Sequence, residues 1–160
     1  MTQEAKVGSL RSPLSATRRF DQSNGSQRRG LRDPRNPRTL AVLGRTQEAL
    51  QILDMVALRD PVLPPWYWEV RSLPLFVDKG YEEKIQTMNR KSPQQYYDHA
   101  YLAAAYAYLG REKKARAEAA EVLHLHPDFS IAVYAKQEHY KNPADRDHLL
   151  EGMRMAGLPE

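Results

Sequence analysis

Residues 95–127 read QYYDHAYLAAAYAYLGREKKARAEAAEVLHLHP. Apolar and polar residues do not alternate here, so the stretch is no strand. Leu102, Tyr106 and Leu109 recur at intervals of three and four, with Ala103, Ala104, Ala105 and Ala107 around them. This predicts a helix from Gln95 to Leu109 with one apolar side. Gly110 ends it, because glycine tolerates the left-handed conformation that closes a helix. A second helix is predicted from Glu112 to Leu125, with Ala115, Ala119, Val122 and Leu123 inward. Lys113, Lys114, Arg116, Glu118 and Glu121 face water, and Glu112 and Arg116 stand at the i,i+4 spacing of a helical ion pair. Pro127 forbids continuation. Two amphipathic helices joined at a glycine turn form an antiparallel hairpin.

One such hairpin cannot cover its own apolar face, and the spacing shows that it has companions. Gly110 precedes Ala115 by five residues, and Ala115 precedes Pro127 by twelve. Upstream, Gly44, Ala49 and Pro61 keep the same two intervals, and Ala49 is followed by Leu53 as Ala115 is by Ala119. The two glycines lie 66 residues apart, room for one more unit of about 34 residues. Gly80, Tyr81, Ile85 and Met88, ending at Pro93, supply it.

The arrangement resembles the tetratricopeptide repeat, whose pattern is W-x2-L-G-x2-Y, then A-x3-F, then P. The clearest unit carries His99-x2-Leu102-Ala103-x2-Tyr106, then Ala115-x3-Ala119, then Pro127. His99 and Ala119 replace the two large aromatic residues. The resemblance implies an all-α fold: a short solenoid of antiparallel helical hairpins with a C-terminal capping helix pair. Ala103 and Ala115 would then mark close helix approach, and Tyr106 would fill the space between hairpins. The repeat-defining positions are Leu102, Ala103, Tyr106, Gly110, Ala115 and Pro127, with Gly44, Ala49 and Pro61 as upstream equivalents.

The expected organisation is a disordered basic tail over 1–38 and a helical repeat domain over 39–160. The domain divides into the second helix of a partial repeat (40–61), a repeat at 62–93, a repeat at 95–127 and a cap at 128–160. The middle repeat should begin with a helix from Trp66 to Val77, kinked or broken at Pro74. Its second helix should be about one turn short, because Pro93 arrives early. In the cap, a helix is expected from Phe129 to Tyr140 with Ser130 near its start. Asn142 and Pro143 should open a final helix that turns Leu149, Leu150, Met153 and Ala156 inward and ends at Gly157. The ending YKNPAD…LLEGMRMAGLPE is similar to the C-termini of bacterial proteins in which a class III adenylate/guanylate cyclase domain, or a winged-helix DNA-binding domain, precedes tetratricopeptide repeats. That resemblance implies an accessory, regulatory segment of a signalling protein.

Composition narrows the functional classes. The 160 residues carry 24 Lys and Arg against 20 Asp and Glu, for a net charge of +4. Eight Arg and one Lys against three acids fall in residues 1–38, so the remainder is slightly acidic. The tail's Ser, Gly, Pro and Arg content cannot bury enough surface to order itself. There is no cysteine, which removes disulfides and thiolate chemistry and fits a cytoplasmic setting. No apolar run approaches the roughly 18 residues of a membrane span. His124 and His126, two residues apart at a helix end, point different ways, and His139 and His148 read as surface polar residues. Glu82, Glu83, Asp145 and Asp147 read as acids at exposed helix starts. No glycine-rich phosphate loop or serine elbow is present. Neither a catalytic site, a metal nor a cofactor is expected.

Function is therefore expected to be protein–protein interaction without catalysis. Tyr97, Tyr101, Ala104, Tyr108, Trp66 and Trp68 are the candidate lining of a partner groove, where Trp and Tyr are favoured anchors; packing within the core is the competing reading of the same rings. Within the resemblance, the first helices carry tyrosines and alanines where some relatives hold a carboxylate clamp, so that clamp is not expected. The partner is a protein or peptide of unknown identity. Self-association through the incomplete first repeat is also open, because Leu40, Leu43 and Leu53 need cover. The alternatives are nucleic-acid binding through the Arg-rich tail and, last, a nucleotide cyclase in its own right.

Overall fold

A computed structural model describes residues 36–60 and 62–160 of the chain. The described residues are all-α, with eight helices and no strand: α1 (Pro37–Val42), α2 (Thr46–Arg59), α3 (Pro65–Val77), α4 (Tyr81–Lys91), α5 (Tyr96–Tyr108), α6 (Glu112–Leu125), α7 (Ile131–Ala135) and α8 (Pro143–Met155). The expected tail lies almost wholly outside the described residues, as does Pro61.

Packing follows chain order. α1 lies on α2, α3 on α4 and α5 on α6, and each pair also meets the next through α2–α3 and α4–α5. One contact departs from that order: α8 packs far more extensively on α5 than on α7, its neighbour in sequence. The main core gathers Phe76, Ile85, Met88, the small face of α5, then Ala115, Ala119 and Val122 of α6 with Leu149, Leu150 and Met153 of α8. A satellite core of Leu53, Tyr67 and Val70 joins α2 to α3, edged by Trp66 and Trp68.

Three inter-helix turns share one geometry. After α1, the N–H groups of Gly44 and Arg45 donate to the carbonyls of Ala41 and Leu40. After α3, Lys79 and Gly80 donate to Phe76 and Leu75. After α5, Gly110 and Arg111 donate to Ala107 and Tyr106. This doubly bonded ending needs a left-handed residue at its first donor. Gly44 (φ 77°) and Gly110 (φ 68°) supply it, but the middle turn uses Lys79 (φ 61°), not Gly80 (φ −79°). The middle unit's register is thus one residue from the one its glycine suggests. A side chain in that conformation carries a backbone penalty that glycine avoids. Lys79→Gly is expected to stabilise the fold by about 0.5–1 kcal/mol, read as a higher urea midpoint; an unchanged or lower midpoint would refute it.

Several expectations need correction. A short helix precedes α2 where only tail was expected: Pro37 opens α1, and the Asn36 side chain accepts from Arg38 N at 2.9 Å. Helix α3 is not broken at Pro74 and continues to Val77. In place of a helix from Phe129 to Tyr140, α7 is a single turn to Ala135, capped by Ser130, whose Oγ accepts from Val133 N. Leu109 and Leu123 are 36% exposed. Leu109 lies beyond the last residue of α5. Leu123 is turned about 80° from Ala115 around α6, off the Ala115–Ala119–Val122 seam.

Candidate functional site

The expected groove is occupied from within. α8 crosses the face of α5 on which Tyr101, Ala104 and Tyr108 lie. Ala104 is fully buried, and a Cβ added at Gly152 of α8 would stand 2.7 Å from Ala104 Cβ and from Tyr108 Cε2. The glycine lets the two helices approach this closely. Tyr101 is buried and its hydroxyl bonds that of Tyr140, while Tyr108 donates to the backbone carbonyl of His148 at 2.6 Å. These three residues form an internal interface, not an open lining. Mid-helix Gly152 was the available signal, since a glycine inside a helical pattern costs stability unless something packs close.

Both ends of this arrangement are tied down. Lys141 N donates to Val42 O at the end of α1, and Ile131 N donates to Pro159 O, which returns the chain terminus to α7. Asn142 and Pro143 open α8 as the sequence suggests, with Asn142 Oδ1 accepting from Ala144 N. His148 is not a surface polar residue. Its ring stacks on Tyr108 (centroids 4.1 Å apart) and its Nε2 meets the Tyr81 hydroxyl. Burial first, and then the nearby Lys79 charge, lower its pKa. Burial and the neighbouring Tyr108 push the Tyr81 hydroxyl up to about 12.

The other candidate rings remain partly open. Tyr97 is 37% exposed on α5, and Trp66 and Trp68 are half-buried on α3, where Arg90 lies over the Trp68 ring at 5.1 Å. Beneath them runs a line of charge. Arg38 of α1 reaches Glu69 of α3 at 3.5 Å. Lys91 of α4 lies between Glu69 (3.8 Å) and Asp98 of α5 (2.9 Å). Asp98 is buried and also accepts from the backbone N–H groups of Gln94 and Gln95, which caps α5. Close by, Lys84 is buried with Nζ 4.6 Å from the Tyr101 ring centre. Burial lowers its pKa to about 7, against the opposing pull of Asp98.

The repeat-defining positions serve packing. Leu102, Ala103, Tyr106, Ala115 and Ala49 are buried; Gly44 and Gly110 make turns; Pro127 stands exposed just beyond α6. His99 bonds Glu118 across the α5–α6 hairpin at 2.7 Å. Leu40 and Leu53 are buried, so the helices of this chain already supply the cover they were expected to seek elsewhere.

The two most exposed large apolar side chains among the described residues lie on, or just beyond, the outer side of α2. At 100° per residue, Met55 and Leu58 project opposite Ala49 and Leu53. Leu58 is 87% exposed, Val62 just beyond the helix 79%, and Met55 45%. Sequence reading assigned no role to this strip. Among the described residues no group of His, Asp and Glu is placed to hold a metal, and no helix is long and apolar enough to cross a membrane. No protein-family model, curated protein or solved structure matches the chain.

Proposed function

We propose that the chain is a non-catalytic protein-interaction module of tetratricopeptide type, the accessory segment of a larger cyclase-like or transcription-regulator-like signalling protein. Support for the repeat reading comes from the shared turn geometry after α1, α3 and α5, and from helix pairs that pack on their chain neighbours. The regulatory setting rests on the resemblance of residues 140–160 to the ends of such proteins. One observation carries the interaction itself: Met55 and Leu58 stand exposed on a helix whose other side is locked into the satellite core, with exposed Val62 just beyond its end. Contiguous apolar surface held on a rigid element is what a docking face requires, since ordering it on binding costs little.

The strip takes the place of the α5 face, which α8 fills. The test compares the full chain and its Leu58→Asp variant as immobilised baits. A protein retained by the native chain and lost from the variant is the expected result; equal retention by both would rule out the α2 face. Formation of a cyclic nucleotide from ATP or GTP by the purified chain would overturn the non-catalytic reading.

A further inference from the structure

We propose that the occupant of the α2 strip is a second copy of this chain, with the two α2 helices side by side and parallel. The inference rests on reading the strip as a docking face, and the charges around it identify the partner.

Met55 and Leu58 are three residues apart on α2, the a and d spacing of a seam between two helices, and Val62 adds apolar surface just past the helix end at Arg59. Asp54 and Arg59 then fall at the flanking g and e positions, one on each side of the strip. In a parallel pair the g residue of one helix meets the e residue five positions later in the other. Asp54 and Arg59 are five apart. Each Asp54 therefore faces Arg59 of the partner subunit, and the twofold axis makes the contact twice. An antiparallel pair would set g against g and e against e, opposing like charges. The pattern is complementary to itself in one orientation only.

Both charges are available. Arg59 is exposed and makes no ion pair within the described chain. Asp54 is 58% exposed in its side chain; Arg71 holds its Oδ1 at 2.6 Å and leaves Oδ2 open. One heptad earlier the seam positions are Glu48 and Gln51, both exposed and polar. The helical seam is thus a single a–d pair, and the association is a weak one, with a dissociation constant on the order of 100 μM.

Sedimentation equilibrium of the full chain from roughly 1 μM to 1 mM tests this, a range that brackets that affinity. The native chain should pass from monomer to dimer, and Leu58→Asp should remain monomeric with an unchanged melting curve, because Leu58 makes no core contact. Asp54→Lys and Arg59→Glu should each weaken dimerisation roughly fivefold, and the two together should restore it, since the exchange re-forms the pair. A native chain that stays monomeric throughout, a Leu58→Asp chain that still dimerises, or a double variant no better than the singles would each overturn the proposal. A monomeric native chain that still loses a foreign protein on Leu58→Asp substitution would refute self-pairing and leave the interaction reading standing.

Discussion

Gly152→Ala should destabilise the fold by about 1–3 kcal/mol, although alanine is the better helix former by roughly 1 kcal/mol. The added methyl group would lie 2.7 Å from Ala104 Cβ, 2.7 Å from Tyr108 Cε2 and 3.1 Å from Ala104 Cα. Tyr108 has some freedom to turn. Ala104 has none, because it is fully buried in the middle of α5. Relief must therefore come from α8 moving outward, and that loosens Leu149, Met153 and the bond from Tyr108 to His148 O. Two readouts separate this from general damage. Amide exchange should accelerate first in 143–158, and Ala104→Gly in the same chain should recover part of the loss by removing the opposing methyl. If Gly152→Ala melts at or above the native temperature, the close approach of α8 to α5 is wrong.

Lys84→Met should have an effect of similar size and opposite sign at neutral pH. Opposed influences meet at Lys84. Burial disfavours the ammonium and prevails, leaving the pKa at about 7, while the Asp98 charge and the Tyr101 ring 4.6 Å away favour it. The unfolded chain keeps this proton up to about pH 10.5. Between those limits the folded state binds fewer protons than the unfolded one, so stability rises with pH, by up to roughly 1 kcal/mol per unit, and is lowest below pH 7. Above about pH 10 the slope reverses, because Tyr81, Tyr101 and Tyr134 hold their protons in the fold beyond the range in which the unfolded chain releases them. Stability should thus peak near pH 9–10. Lys84→Met should abolish the rise from pH 7, keep the alkaline fall, and add about 1–4 kcal/mol at neutral pH. Denaturant titrations at pH 7, 8, 9 and 11 measure all three; a Met variant less stable at pH 7 would mean that the ring contact outweighs burial.

The helices of the α5–α6 hairpin were legible because their apolar spacing and their stops, Gly110 and Pro127, are local. The same local rules faltered where one motif has two meanings. Asn142-Pro143 reads as a helix start, and Asn36-Pro37 is the same device, yet the arginines and prolines around it read as turn and tail. At the turn after α3 the glycine follows the left-handed residue instead of occupying it, so the sequence marks the turn one residue late. In the cap, Ile131 and Tyr134 begin a helical pattern that Lys136, Gln137 and Glu138 do not sustain, and the chain leaves the helix to carry Tyr140 to Tyr101. The groove was misjudged for a different reason. Tyr101, Ala104 and Tyr108 do share a face of α5, but which distant segment lies on that face is a long-range fact. Only Gly152 hinted at it. The α2 strip was hidden by expecting apolar residues near a broken repeat to be the exposed ones, when Leu40 and Leu53 were already covered.

Stacked helical units that touch only their neighbours can fray from an end or lengthen by duplication, each addition meeting the last. The return of α8 onto α5, with Lys141 bonded to the end of α1, removes both freedoms from this chain. Peeling away the last twenty residues would strip cover from its middle, so melting should proceed as one concerted event. For the same reason a further unit grafted after Glu160 would find no vacant first-helix face on α5 to continue.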